Sequence, residues 1–122
     1  MPRSARDEGF SRRHRFGTRG SFGPVLRAGK KVRGATLVIH ALERRSPDSR
    51  LGIALTRRLA PSSVERNLLK RIVREAFRRH ALKGGGLDCV VALRQRFEAS
   101  SAGAVRGELS RLFDELHESR AR

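Results

Sequence analysis

The chain has 122 residues, with 28 Lys or Arg against 12 Asp or Glu, a formal net charge of +16. This length fits one domain, and without Trp or Tyr its core must be largely aliphatic. So large a charge calls for an anionic partner, usually nucleic acid and otherwise a membrane surface. No apolar run approaches the roughly 18 residues that span a bilayer, no signal-peptide pattern opens the sequence, and the single cysteine, Cys89, excludes an internal disulfide. We therefore expect a cytoplasmic protein with no membrane partner.

The charge is unevenly distributed along the chain. Residues 1–33 hold ten basic and two acidic residues, and residues 56–80 hold eight and two, whereas residues 98–122 hold four and five. The partner is therefore expected at the N-terminal and central segments. Residues 1–15 read as a disordered basic arm, in which Arg12, Arg13 and Arg15 are candidates to order on the anionic partner. Residues 16–118 form the predicted domain, and residues 119–122 a tail.

The first half of the domain predicts one short helix and two strands. Phe22, Val25 and Leu26 have helical spacing, and Gly29 closes that helix. Residues 35–42 (ATLVIHAL) are an apolar run of strand length, and residues 51–57 (LGIALTR) alternate as a second strand. The link between them, residues 44–49 (RRSPDS), is rich in turn formers, so we expect the two strands to form a hairpin.

The second half predicts a long helix, a third strand and a last helix. Ser62 and Glu65 have the spacing of a capping box, and the helix should run to about His80, before a glycine linker at residues 84–86. Residues 88–94 (DCVVALR) are the third strand. Ser100 or Ser101 can cap the last helix, whose apolar stripe is Val105, Leu109, Leu112, Phe113 and Leu116. The fold is α+β, in the order α-β-β-α-β-α with room for one further short strand.

The central helix carries the candidate binding surface. At 100° per residue its core side comprises Leu68, Leu69, Ile72, Val73 and Ala76. The opposite side is a basic ridge of Arg66, Asn67, Lys70, Arg71, Arg74 and Arg78. Arginine suits phosphate because its planar guanidinium donates two parallel hydrogen bonds. Asn67 can read a base edge, hold a phosphate or hold a water, and Glu75 can pair with Arg71 or Arg79. Spacing alone does not distinguish RNA from DNA.

Residues 63–78 (SVERNLLKRIVREAFR) closely resemble the signature helix of the bacterial ribonuclease P protein subunit, approximately A-V-x-R-N-R-x-K-R-x-x-R-E-x-F-R. Residues 50–58, 88–94 and 22–29 are similar to three further motifs of that family, and the resemblance covers residues 16–116. At the position of Leu68 the family usually has Arg or Lys. The helical wheel puts this position on the buried side of the helix. The early helix of the family usually has a second aromatic residue, which Leu26 replaces here. Phe22 is therefore the one ring to which the resemblance assigns stacking on a base.

The resemblance implies a left-handed β-α-β crossover around the signature helix and a task in tRNA maturation. In this family a catalytic RNA removes the 5′ leader of precursor tRNA with magnesium ions that the RNA mainly binds. One protein per catalytic RNA contacts that RNA through the signature helix. It holds the single-stranded leader in a cleft between the sheet and the early helix. Here Phe22, Phe16, Arg57 and Arg58 are the cleft candidates, although Phe22 can equally serve only to fill the core.

The residues themselves offer no nuclease chemistry. A two-metal site needs clustered carboxylates, and five of the twelve acids fall in the last 25 residues. His14, His40, His80 and His117 lack metal-ligand spacing, and His40 reads as a structural histidine. Cys89, Phe77 and Phe113 read as core residues. We expect no catalytic or metal-binding side chain in the chain and no cofactor bound by the protein alone.

Three alternatives remain open at this point. The first is a ribosomal or other structured-RNA protein unconnected with tRNA processing. The second is a DNA-binding or nucleoid protein, since a basic helix also fits a major groove. The third is a protein-only nuclease, which the missing carboxylate cluster disfavours.

Overall fold

The computed structural model describes residues 23–121 and has the predicted α+β fold class. Its main elements in chain order are α1 (Gly23–Ala28), β1 (Lys30–Arg33), β2 (Leu37–Glu43), β3 (Arg50–Ala54), α2 (Ser63–Arg79), β4 (Leu87–Leu93) and α3 (Ala102–Ala121). Short 3₁₀ helices at Ala81–Gly84 and Ala99–Ser101 precede β4 and α3. Strand β1 is the further short strand for which the prediction left room. Helix α3 continues to Ala121, so residues 119–121 extend it.

The four strands form one sheet in the order β1-β2-β4-β3. Strand β2 is antiparallel to both β1 and β4, whereas β3 is parallel to β4. The predicted hairpin between β2 and β3 is therefore wrong, because β4 lies between them. Strand β4 is buried at every residue except Ala92, which is partly exposed, and burial on both faces requires a central position.

The link at residues 44–49 crosses the start of β4, which explains why it does not form a hairpin turn. The buried Ser49 donates its hydroxyl to the Leu82 carbonyl (2.7 Å) and accepts from the Leu87 amide (2.9 Å). Its own amide donates to the Lys83 carbonyl. These bonds tie the link to the segment that leads into β4 rather than to a strand beside β2.

Helices α2 and α3 cover one face of the sheet, and α1 covers part of the other. Side chains alternate across a strand, so Leu37, Ile39 and Ala41 of β2 face the main core. The predicted apolar stripe of α3 is buried along its whole length, and Phe77 packs edge-on against Phe113. Val25 of α1 and Val90 of β4 are also buried but stand outside this core, which places α1 on the opposite face.

Local chemistry sets both ends of α2. The Ser62 hydroxyl accepts a hydrogen bond from the Glu65 amide (3.3 Å), as the predicted cap requires. The reciprocal half of the capping box does not form, because the Glu65 carboxylate instead accepts from the Ala99 amide (3.0 Å). The helix ends at Arg79, where the His80 amide donates to the Phe77 carbonyl. Further on, Gly86 at φ 72° makes the turn into β4. The β3-α2-β4 connection joins parallel strands, and its left-handedness stays a prediction.

Candidate nucleic-acid interface

The basic ridge runs along the solvent side of α2. Leu69, Ile72, Val73 and Phe77 bury the other side of this 17-residue helix. The ridge residues Asn67, Arg71 and Arg74 are exposed, and Arg66, Lys70 and Arg78 are partly exposed. Leu68 is partly buried against the core, as the helical wheel predicted. The core contacts therefore fix the direction in which the cations project.

Arg66 and Arg78 of the ridge also bond to described residues of the protein. Arg66 donates through Nη1 to the carbonyls of Ala60 (2.8 Å) and Pro61 (3.0 Å), which ties the helix to the loop before it. Arg78 pairs with Glu75 at 2.5 Å, and Arg79 pairs with the same carboxylate at 2.7 Å.

Glu75 thus pairs with Arg79 as predicted, but its second partner is Arg78 rather than Arg71. Hydrogen bonds from Arg78 and then Arg79 lower the pKa of the Glu75 carboxyl. Such exposed pairs add little stability, and they orient the two guanidinium groups.

A second basic surface lies on the open sheet face, the face that α1 covers in part. On this face Lys31 and Arg33 of β1 are exposed and stand beside His40, the cross-strand partner of Lys31. Burial first, then Lys31 and Arg33, lowers the pKa of His40, so its ring is neutral at pH 7. The buried Nδ1 of His40 has no hydrogen-bond partner among the described residues. His40 is therefore an uncharged ring beside two cations of the neighbouring strand.

Small side chains continue the open sheet face toward β3. Gly52 pairs with Val90, and Ala54 pairs with Ala92. Gly52 is buried and Ala54 partly exposed, and because the two positions carry at most one side-chain carbon, we call this low strip of the face beside Val90 and Ala92 the trough. Exposed Arg27 lies on α1 at this side of the molecule. The trough is a place where an extended chain can approach the sheet closely.

Sequence reasoning missed Lys31 and Arg33 and interpreted His40 only as structural. The run Lys30-Lys31-Val32-Arg33 does alternate, with Val32 buried and its neighbours exposed. That period-2 pattern was the available signal for a strand with one cationic face.

Arg57 and Arg58 lie in the exposed turn after β3, near the start of α2. The strand predicted to include Arg57 ends at Ala54, because the Ala60 amide bonds to the Thr56 carbonyl and closes a turn there. Phe16, Phe22, Arg12, Arg13 and Arg15 lie outside the described residues, and their roles stay predictions. Leu26, in place of an aromatic, is 39% exposed on α1.

The remaining reactive side chains have structural surroundings. Cys89 is fully buried, and this burial raises the pKa of its thiol to about 12, so it stays protonated at neutral pH. Asp88 accepts two hydrogen bonds of 2.8 Å from the Arg50 guanidinium and lies 3.4 Å from Nε of Arg44. Within residues 23–121, no three His, Cys, Asp or Glu side chains group as metal ligands, and no helix could cross a bilayer.

Fold and surface together define a small α+β protein with a basic helix face and a basic sheet face. The Ribonuclease P family model matches residues 10–117. The ribonuclease P protein component of Azoarcus sp. (strain BH72) is 32% identical over 110 residues, covering 90% of this chain and 92% of that protein. The same component of Nitrosomonas europaea is 39% identical over 66 residues, covering 54% and 56%.

Solved structures agree with the sequence matches. The RNase P protein from Thermotoga maritima aligns with a TM-score of 0.66 at 30% identity, covering 83% of this chain and 96% of that one. The RNase P protein of Staphylococcus aureus has a TM-score of 0.64 at 23% identity, covering 84% and 90%, and so supports the fold. The chain therefore belongs to the ribonuclease P protein family. It is a protein component of that enzyme, and membership implies that it works with the ribonuclease P RNA.

Proposed function

We propose that this chain binds the catalytic RNA of ribonuclease P and the single-stranded 5′ leader of precursor tRNA. It assists removal of the leader, and the RNA subunit performs the hydrolysis with the magnesium ions that it binds. One protein serves one RNA subunit, in the cytoplasm. The observation that carries this proposal is the basic ridge on α2, a set of donors for phosphate on a helix that the core holds rigid.

The two basic surfaces suit two different forms of RNA. The ridge is long, convex and mounted on one helix, which suits the backbone of a folded RNA. The open sheet face is a trough with Lys31 and Arg33 on one side and α1 along it, which suits an extended single strand. His40 offers that strand a neutral ring for stacking or hydrogen bonding. Arg57 and Arg58 extend the positive charge beyond the end of β3.

The chemistry of the described side chains supports assigning catalysis to the RNA. The buried carboxylate of Asp88 is bound by Arg50, and that of Glu108 accepts from the Thr36 and Leu37 amides. Glu65 accepts from the Ala99 amide, and Glu75 pairs with two arginines. Each of these groups therefore already has a structural partner.

The test is cleavage of precursor tRNA by a bacterial ribonuclease P RNA at low magnesium, with and without this protein. We expect stimulation by the protein together with the RNA and no cleavage by the protein alone. RNA binding without a change in rate would favour a ribosomal or other structured-RNA role. Cleavage by the protein alone would show that the chemistry resides in this chain.

A further inference from the structure

A groove of about 340 Å³ separates the solvent sides of α2 and α3. Its α2 side is lined by Arg71, Ile72, Glu75, Ala76 and Arg79, and its α3 side by Arg106. Ile72 is buried and Ala76 partly buried, so these two form the apolar floor, whereas Arg71, Arg79 and Arg106 are exposed. Only Arg71 also belongs to the basic ridge, so the groove continues the ridge sideways onto a second helix.

The charges of this α2–α3 groove are unbalanced. Glu75 is already neutralised by its pairs with Arg78 and Arg79. Arg71 and Arg106 are both exposed, and neither has an ion pair or side-chain hydrogen bond with another described residue. Two guanidinium groups without a protein anion therefore face one groove from opposite sides.

Arg106 is the arginine of α3 that lines this groove. Helix α3 carries four acidic residues, Glu108, Asp114, Glu115 and Glu118, against three arginines, so it is otherwise not a basic surface. Arg111 is exposed too, but five helical residues separate it from Arg106 by roughly 140° around the axis. Arg111 therefore projects from the opposite flank, away from α2, and provides a matched control.

We propose that the α2–α3 groove binds the sugar–phosphate backbone of the ribonuclease P RNA. The inference rests on the proposed function and extends the RNA contact from α2 to α3. Arg71 and Arg106 donate to phosphate oxygens from the two sides, and the Ile72 and Ala76 floor accommodates the ribose edge. Backbone contacts of this kind position a protein on RNA without reading sequence.

The first test measures binding of the RNA subunit by Arg106→Glu and Arg111→Glu across a salt series. Both variants reverse one exposed charge on the same helix, so their net charges are equal. We expect Arg106→Glu to weaken binding roughly five- to tenfold and to reduce the salt slope by about one phosphate contact. Arg111→Glu should change affinity less than about twofold, because salt screens distant charges.

Equal losses in the two variants, or no loss in Arg106→Glu, would overturn the groove assignment while leaving the proposed function intact. Failure of the unaltered protein to bind the RNA would instead overturn the proposed function. Thermal unfolding of both variants checks that the helix remains folded.

A second test locates the RNA directly. Because the single cysteine, Cys89, is buried and protonated, a new surface cysteine can be labelled selectively. We expect an iron chelate tethered at Ser110→Cys, which lies beside Arg106 on α3, to cut the bound RNA at discrete backbone positions. The same chelate at Glu115→Cys on the far flank should cut weakly. Cleavage from position 115 alone would contradict the proposal.

Discussion

His40 lies on the open sheet face with two cations as neighbours, and its pKa is depressed. In the unfolded chain the pKa returns to about 6.5, so below that pH the unfolded state binds a proton that the folded state does not. Stability therefore falls as pH decreases from about 6.5 toward the folded pKa.

We predict that His40→Gln loses this part of the pH dependence. The urea midpoint of the unaltered protein should fall more between about pH 7.5 and 5.5 than that of the variant. Both proteins retain His80 and His117, so the contributions of these residues to the pH dependence of stability cancel in the comparison. Identical pH profiles for the two proteins would contradict the assignment.

Asp88 is one of two buried carboxylates among the described residues, the other being Glu108. Asp88 is 8% exposed and accepts both hydrogen bonds of the Arg50 guanidinium. These bonds raise the pKa of Arg50. Removing Arg50 leaves a poorly solvated charge with only the longer contact to Arg44.

We predict that Arg50→Met lowers the free energy of unfolding by about 2–3 kcal/mol, below the full cost of a buried pair because Arg50 is partly exposed. Arg96→Met is the control. Arg96 and Glu98 are 3.7 Å apart and both more than half exposed, so this change should cost less than about 0.5 kcal/mol. Urea unfolding measures both values, and comparable losses would argue against a special role for Asp88.

The sequence could locate a residue where the interactions that position it are local in the chain, and not where they join distant segments. Asn67 and Arg71 were placed by the periodicity of one helix. Lys31 and His40 share a face only because β1 pairs with β2 in a particular register, and no local pattern encodes that register. The sheet half of the candidate site was therefore missed, whereas the solvent-facing positions of its helix half were predicted residue by residue.

Helix α2 was predictable as an element because its cap, apolar side and ending glycines are all local in sequence. The partner of β3 was not predictable in the same way. Strand β3 pairs with β4, which follows only after the whole of α2, whereas a nearby turn-rich link favoured a hairpin. Long-range burial of β4 outweighed the local turn signal.

At the level of the helix, we predict that Lys70→Ala with Arg74→Ala weakens assembly with the RNA subunit at least tenfold, since both changes remove positive charge from the solvent side of α2. Arg66 is left intact because it also holds the loop at Ala60 and Pro61. Arg111→Ala with Lys83→Ala is the charge-matched control. Normal assembly of the ridge variant would refute the assignment of this face.

At the level of the strand, we predict that Lys31→Ala with Arg33→Ala reduces the preference for precursor over mature tRNA. Assembly with the RNA subunit should be unchanged, because these side chains lie on the open sheet face and not on α2. Lys30→Ala with Lys83→Ala is the charge-matched control, since Lys30 alternates to the other face and contacts Ser119, and Lys83 lies outside both basic surfaces. The measurement compares holoenzyme affinity for substrates with and without a leader.

For the molecule as a whole, the charge distribution predicts a steep salt dependence. If about six phosphates are neutralised, log affinity should fall with log salt at a slope of roughly −4 for single-stranded RNA. The near-neutral residues 98–122 should contribute little to that slope, apart from Arg106. A slope near zero would show that the positive charge serves another purpose.

The central place of β4 has a consequence for how the chain folds. Strand β2 can pair early with β1, its immediate neighbour in sequence, but β3 has no partner until β4 is available. Pairings between distant segments form slowly, because a long loop must first be closed. During synthesis the sheet cannot close before Leu93 has left the ribosome. The trough on the open sheet face is thus completed late, while the β1–β2 hairpin can form first.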